Sequence, residues 1–556
     1  MDTLSQYDYV VFLIYFIVVS LYGWWVYKRR SPAVIGVNDY FLAEGSLTWW
    51  AIGASLIASN ISAEQFIGMS GSGFKIGLAI ASYEWMSALT LIIVAVFFIP
   101  VYLKNKIYTM PQFLRSRYNE TVSMIMAVFW LLLYIVVNLT SILYLGALAI
   151  NSISGINLHA CMGGLAIFAV VIALGGMKVI GYTDVMQVFF LVLGGLATTY
   201  LALNLVAEHY GSAGLLQGFI KMKENAGDHF HMILSKGHPG YADLPGLSVL
   251  IGGLWIANLN YWGCNQYITQ RALGADLPTA RNGILFAAFL KLLMPLIVVL
   301  PGIAAFVLYQ GADFKTLMTT NGEVNPDRAY PVLLNILPTG LKGLSFAALT
   351  AAVVASLAGK INSIATIFTL DIYKKVIRPD ASERELVFTG KMTVLAGTLI
   401  AVIIAPHMGI DKKGGFQYIQ EYTGFVSPGI FAMFILGFFW KKTTAKAALF
   451  ATIGGFILSV LFKFLPAFAN LSFLSRAGLA VMNEKGIWEI PFMDRMGIVF
   501  ILCIIVMYFI SIYGKKDATQ IKSMDVDKRM FVATPGFIAG AMIICGILIA
   551  LYSVFW

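Results

Sequence analysis

The sequence predicts an all-α polytopic membrane protein of about fourteen transmembrane helices, with a five-plus-five inverted-repeat core and a broken first helix in each repeat. Three observations predict it. Of 556 residues, 59% are hydrophobic and 12% charged, against about 25% charged in a soluble domain. The charge is gathered into short clusters between apolar runs of 20 residues or more, the length that crosses ~30 Å of hydrocarbon. Two of these runs, five spans apart, carry polar residues at mid-length.

The first run, 8–27, follows MDTLSQYDYV, which has neither a basic n-region nor a small-residue cleavage site. It is expected to remain as a span rather than leave as a secretory signal. The later spans are expected near 47–72, 78–103, 121–150, 159–177, 181–207, 246–267, 282–308, 340–372, 386–406, 416–440, 445–467, 495–513 and 532–555. These limits give an N-terminal span and loop (1–46), a first repeat (47–207), an outer loop (208–245), a second repeat (246–440) and three further spans (441–556). Cys161, Cys264, Cys503 and Cys545 lie in or beside apolar segments without metal or disulfide spacing, so they read as small hydrophobes. His229 and His231, with Asp228, read as a solvated loop.

The loops fall into two alternating sets, one with 23 Lys and Arg and the other with 10. The richer set is expected in the cytoplasm, and an even number of spans then leaves both termini outside. The net charge of +10 flanks membrane spans and does not point to nucleic acid.

The run WWAIGASLIASNISAEQFIGMSGSG, from Trp49 to Gly73, places Ser59, Asn60, Ser62, Glu64 and Gln65 in mid-membrane. Its glycines and small residues fit helix packing. Its amides and carboxylate do not, and a polar break at that depth must be covered by protein or line a wet cavity. Half-helices with unwound centres are how many secondary transporters hold ions and substrate. The second break, LIGGLWIANLNYWGCNQYITQR, carries Asn258, Asn260, Asn265 and Gln266. Three more ionisable groups lie deep in other runs: Glu84, with Ser87 three residues on, Lys291, and Lys360, eleven residues before Asp371. Intramembrane charges are functional candidates by default; a Glu–Lys pair that only holds helices together is the plain alternative.

NISAEQFIGMSGSG, IASYEWMSA, YTDVMQVFFLVLGG, IANLNYWGCNQYITQR, NSIATIFTLDIYKK and FQYIQEYTGFVSPG resemble the sodium:solute symporter family over nearly the whole chain. The resemblance implies sodium-driven import of a monosaccharide of galactose or glucose type across a bacterial inner membrane, with Na+ as the coupling ion and cofactor. Carried over by position, it places sugar contacts on Gln65, Glu84, Ser87, Asn258, Lys291 and Gln420, with Asn60 beside them. It places an outer lid on Met69, Tyr83 and Phe416, and an inner lid on Tyr261 flanked by Trp262. Sodium would be held by oxygens of Ala58, Ile61, Ala352 and Ser356, with Asp184 beside the exit route. A hard cation needs such oxygens.

Three positions depart from the family pattern. Ala355 replaces a hydroxyl ligand, Asn260 replaces a second inner-lid tyrosine, and Lys360 has no lysine counterpart. Ala352, Ser356 and Lys360 form one helical stripe at i, i+4 and i+8, so an ammonium there could speed ion release or replace the ion. The amides favour a polyhydroxy solute; an inositol, an amino acid, or sodium-independent transport are the alternatives. No nucleophile–base pair, metal cluster or phosphate loop suggests an enzyme.

Overall fold

The computed structural model describes residues 4–28, 47–320, 322–407, 415–483, 486–514 and 523–556. Arg29, Arg30, Lys412, Lys413, Lys485, Lys515, Lys516 and Lys522, counted above among the loop cations, lie outside the described residues. The described chain is helical apart from two two-residue hairpins, Thr319–Thr320 with Glu323–Val324 and Val481–Met482 with Trp488–Glu489. Among the described residues, ten helices are long and apolar enough to cross a membrane, or up to twelve if each of two bent pairs is one span. The protein is an all-helical polytopic membrane protein.

Both predicted breaks are present. The helix Trp49–Asn60 stops at Ile61, and a π-helical stretch, Glu64–Met69, starts the second half, which continues through Ser70–Ile76. Gly77 (φ 73) then interrupts the apolar run Glu64–Lys104. The helix Gly253–Cys264 ends at Asn265, whose extended backbone (φ −99, ψ 128) separates it from Gln266–Leu273. A further bend was not expected. The run predicted as one span at 416–440 is two helices, Phe416–Gly424 and Ser427–Phe439, at 51°. Pro428 lies in the first turn of the second helix, where it has no N–H to extend the preceding ladder.

Close backbone approach fixes the core. A Cβ on Gly53 would come within 2.6 Å of the Gly283 carbonyl, and one on Gly283 within 2.8 Å of the Trp49 carbonyl. The first broken helix therefore lies directly on Leu277–Leu308, as small residues permit in a membrane. The N-terminal span is tied in by charge. Asp8 Oδ1 accepts from the backbone N–H of Gly340 (2.8 Å) and Gly343 (2.9 Å), the unpaired donors at the start of helix Leu341–Thr366.

Several loop cations are structural rather than solvated. Arg117 donates to the carbonyls of Gly437 (2.8 Å), Trp440 (2.9 Å) and Thr443 (3.1 Å), capping the C-terminal end of Ser427–Phe439. Arg281 donates to the carbonyls of Ala95, Met530 and Val532. His229, read as solvated, is buried: its Nε2 lies 3.1 Å from the Phe74 carbonyl and its ring stacks on Phe306 at 3.8 Å. Burial pushes its imidazole below the usual histidine range. The same loop pairs with the C-terminal residues, Met232 N–H donating to Phe555 O and Ile233 N–H to Trp556 O.

Candidate functional site

A cavity enclosing about 840 Å³ of space, part of it open to solvent, lies between the two breaks and the bent pair. Asn60, Gln65, Glu84, Ser87, Asn258 and Gln420, six of the seven residues expected to meet substrate, line it. The seventh, Lys291, is not on the wall. It is fully buried behind it, donating to both Glu84 Oε2 and Asn60 Oδ1, with its ammonium 5.2 Å from the centroid of the Trp262 indole. Pro295, four residues on in the same helix, cannot donate to the Lys291 carbonyl, yet the helix runs unbroken from Leu277 to Leu308.

From this buried pair, hydrogen bonds run toward the aromatic floor. Asn60 Nδ2 donates to Tyr261 Oη at 2.9 Å. Tyr261 stands edge-on to Trp262 (5.1 Å) and to Tyr267 (5.6 Å). At the other end, Tyr83 and Phe416 meet edge-to-face at 4.9 Å. The Phe416 backbone crosses Gly68, where a Cβ would come within 2.7 Å of its nitrogen. Met69, expected in the outer lid, is buried and does not line the cavity, whereas Tyr83, Phe416, Tyr261 and Trp262 do. Ser87 Oγ lies 2.6 Å from the Tyr83 carbonyl and 3.0 Å from Asn258 Oδ1, leaving Asn258 Nδ2 buried without a partner.

The first break exposes backbone oxygens. Ser62 N–H, which would continue the helix by donating to Ala58, donates instead to Gln65 Oε1 at 2.9 Å. Gln65 N–H, which would donate to Ile61, donates to the Ser62 carbonyl at 3.1 Å. Gln65 thus stabilises the break as well as lining the cavity. Ser356 reaches across from helix Leu341–Thr366 and donates to the Ser59 carbonyl at 3.0 Å. Ala58, Ile61, Ala352 and Ser356 are all buried where these helices meet. This is a set of neutral oxygens without a carboxylate, the kind of surroundings a monovalent cation accepts.

On the same side lies a second buried cluster. Asp184 Oδ2 accepts from Ser55 Oγ at 2.5 Å and lies 3.7 Å from an Arg271 Nη. Arg271 also donates to Ser55 Oγ (2.7 Å) and to the Tyr267 carbonyl. Counting Arg271 as a loop cation missed this: it is 2% exposed. Lys360, equally buried, lies 4.8 Å from the centroid of the Tyr267 ring rather than on a carboxylate, and feels the opposite charge of Glu64 and the like charge of Arg271. Glu64 Oε1 is buried without a hydrogen-bond partner.

Sequence reasoning did not single out Asn138, Asn260, Thr423 and Ser427 as substrate-facing, though they too line the cavity. Nor did it find the triad of Glu421 with Lys463 and Arg495 (2.5 Å) beside the bent pair. A polar residue in an apolar run was the available signal for each.

The sequence profile of the sodium:solute symporter family matches residues 40–455. The chain belongs to the sodium:solute symporter family. As a member it is a transporter and not an enzyme, and Na+ is a co-transported substrate rather than a resident cofactor. The sodium/glucose cotransporter of Vibrio parahaemolyticus is 48% identical over 561 residues, covering 100% of this chain and 99% of that protein. The sodium/myo-inositol cotransporter 2 of Homo sapiens is 34% identical, over 82% of this chain and 69% of that one. A Na+-coupled sialic acid symporter, solved substrate-bound and outward-open, matches with a TM-score of 0.74 at 20% identity, over 91% of this chain and 98% of that one. That likeness shows the fold of this symporter family member.

Proposed function

We propose that the protein couples inward sodium movement to import of a monosaccharide of glucose or galactose type by alternating access. The observation that carries this reading is the arrangement of Asn60, Gln65, Glu84, Ser87, Asn258 and Gln420 around one cavity between aromatic ends. Amides, a carboxylate and a hydroxyl can each hold sugar hydroxyls, which donate and accept. Tyr83, Phe416, Tyr261 and Trp262 can cover the apolar ring faces. The relatives named for sodium/glucose and sodium/myo-inositol cotransport support a polyhydroxy substrate. Lys291 would act through Glu84 and Asn60, fixing both side chains in the cavity wall from behind.

Sodium would be held by Ala58, Ile61, Ala352 and Ser356 and leave past Asp184. One charge crossing 100 mV together with a tenfold sodium gradient would drive roughly 500-fold sugar accumulation. Dividing Glu64–Lys104 at Gly77, and counting the shorter helix Leu158–Leu174 with the bent pairs, brings the spans to the fourteen expected. The repeats would then be 47–207 and 246–440, in a bacterial inner membrane with both termini outside. Three contacts support that alternation: Asp8 with Gly340, the 232–233 segment with 555–556, and Lys104 with Asp525 at 3.1 Å each join segments assigned to one side.

The test is a sodium-jump uptake assay in proteoliposomes with a panel of labelled sugars and inositols. Sodium-dependent uptake of a sugar is expected. Uptake of none of the panel refutes the reading.

A further inference from the structure

We propose that Asn260 is a specificity-determining residue of the substrate site, accepting a hydrogen bond from one hydroxyl of the bound solute; this rests on the polyhydroxy-substrate reading above. Asn260 lies in the last turns of helix Gly253–Cys264 and lines the cavity. Its carboxamide has a single possible orientation, set by its neighbour. Ser427 Oγ donates its one proton to the Thr423 carbonyl at 2.9 Å. Toward Asn260, 3.1 Å away, that oxygen can therefore only accept. So Nδ2 faces Ser427, and Oδ1 must face the other way.

Oδ1 is buried and has no hydrogen-bond partner among the described residues, on a residue 4% exposed. A buried acceptor left unpaired is costly, and this one belongs to a residue on the cavity wall. Its natural complement is a donor that arrives with the substrate. Asn258, two residues earlier, also lines the cavity and has one end of its carboxamide buried without a partner among the described residues. The same helix therefore brings two unmet amide groups to the cavity, which fits a solute with more than one hydroxyl. The Ser427 anchor stands just past the bend between Phe416–Gly424 and Ser427–Phe439. The orientation of Asn260 thus depends on a bend the sequence did not reveal.

The experiment uses purified full-length protein in proteoliposomes. Competition for uptake is measured with the transported solute's monodeoxy and deoxyfluoro series, for wild type, Asn260→Ala, Asn260→Ser and Ser427→Ala. Fluorine cannot donate, so in wild type one position is expected to lose tenfold or more in apparent affinity with both deoxy and fluoro analogues. In Asn260→Ala that penalty is expected to fall within twofold while penalties at other positions stay. Asn260→Ser covers the case in which the alanine variant does not insert, and is expected to retain part of the discrimination. Ser427→Ala frees the carboxamide and is expected to weaken discrimination at the same position only. A common shift at all positions, or none, overturns the inference and leaves the transport reading standing; this includes a water-filled Oδ1. Wild-type uptake of no sugar or inositol overturns both.

Discussion

Lys360→Met tests how a fixed ammonium shares a helix with the proposed cation site. Lys360 follows Ser356 by one turn, about 6 Å along the axis, and its side chain leads away to the Tyr267 ring. A charge separation of ~6–10 Å at an effective dielectric of ~20 gives a repulsion of about 1.7–2.8 kcal/mol. Glu64 acts on the same ammonium with opposite sign, and offsetting roughly half leaves a gain of about 0.8–1.4 kcal/mol when the charge is removed. Lys360→Met is therefore expected to keep uptake sodium-dependent and to lower the half-saturating sodium concentration by about 4- to 10-fold. Glu64→Gln should move it the other way. The assay is initial sugar uptake in proteoliposomes as sodium replaces choline at constant ionic strength. Wild-type uptake that is indifferent to choline, with a dead Lys360→Met, would mean that the lysine stands in for the ion. An unchanged sodium dependence in the variant would refute the charge-repulsion argument.

Four further outcomes are expected. Gln65→Ala, Glu84→Ala and Lys291→Ala should each abolish sugar uptake in protein that still inserts, because each strands buried partners at about 1–3 kcal/mol; uptake within twofold of wild type in two of the three would remove them from the site. Ala355→Ser, beside Ser356, should tighten sodium by adding an oxygen ligand, read in the same sodium titration; no change would place residue 355 off the ion. Cysteines introduced at 208–245 should react with an impermeant thiol reagent on intact spheroplasts and those at 523–529 should not, and the reverse pattern would invert the topology. Arg117→Met removes a guanidinium that serves four carbonyls. It should lower the melting temperature of detergent-solubilised protein by several degrees; an unchanged melting temperature would show that those carbonyls find water.

What could be read from the sequence was mostly what the membrane forbids. Five polar side chains in one apolar run cannot face lipid, so the break at Ile61–Ala63 and the cavity around Asn60 and Gln65 follow from composition and position alone. The same reasoning found Glu84 and Lys291, which the fold joins. It did not tell that Lys291 would stand behind the wall, because that depends on which way the side chain leaves its helix in the packed bundle. It also could not show that Arg117, Arg271 and Arg281 would be buried, since a cation at the edge of a span looks the same in one dimension whether it meets water or caps a carbonyl. Glu421, Lys463 and Arg495 come from three separate helices, and no local pattern links them.

Asp8 holds one end of Leu341–Thr366 as a bolt holds a lever. That helix has 26 residues and is ~39 Å long. With the N–H groups at its start pinned to the first span, it cannot slide along its axis without breaking both bonds. The motion left to it is a swing about that end. A swing of ~10° displaces the far end of such a ~39 Å rod by roughly 7 Å, while residues near the pin scarcely move. Ser356 and Lys360 lie well down the arm, so a small rotation at the periphery becomes a separation of Ser356 from the Ser59 carbonyl it now holds. The N-terminal helix, none of whose residues lines the cavity, would then serve as the fulcrum of that movement.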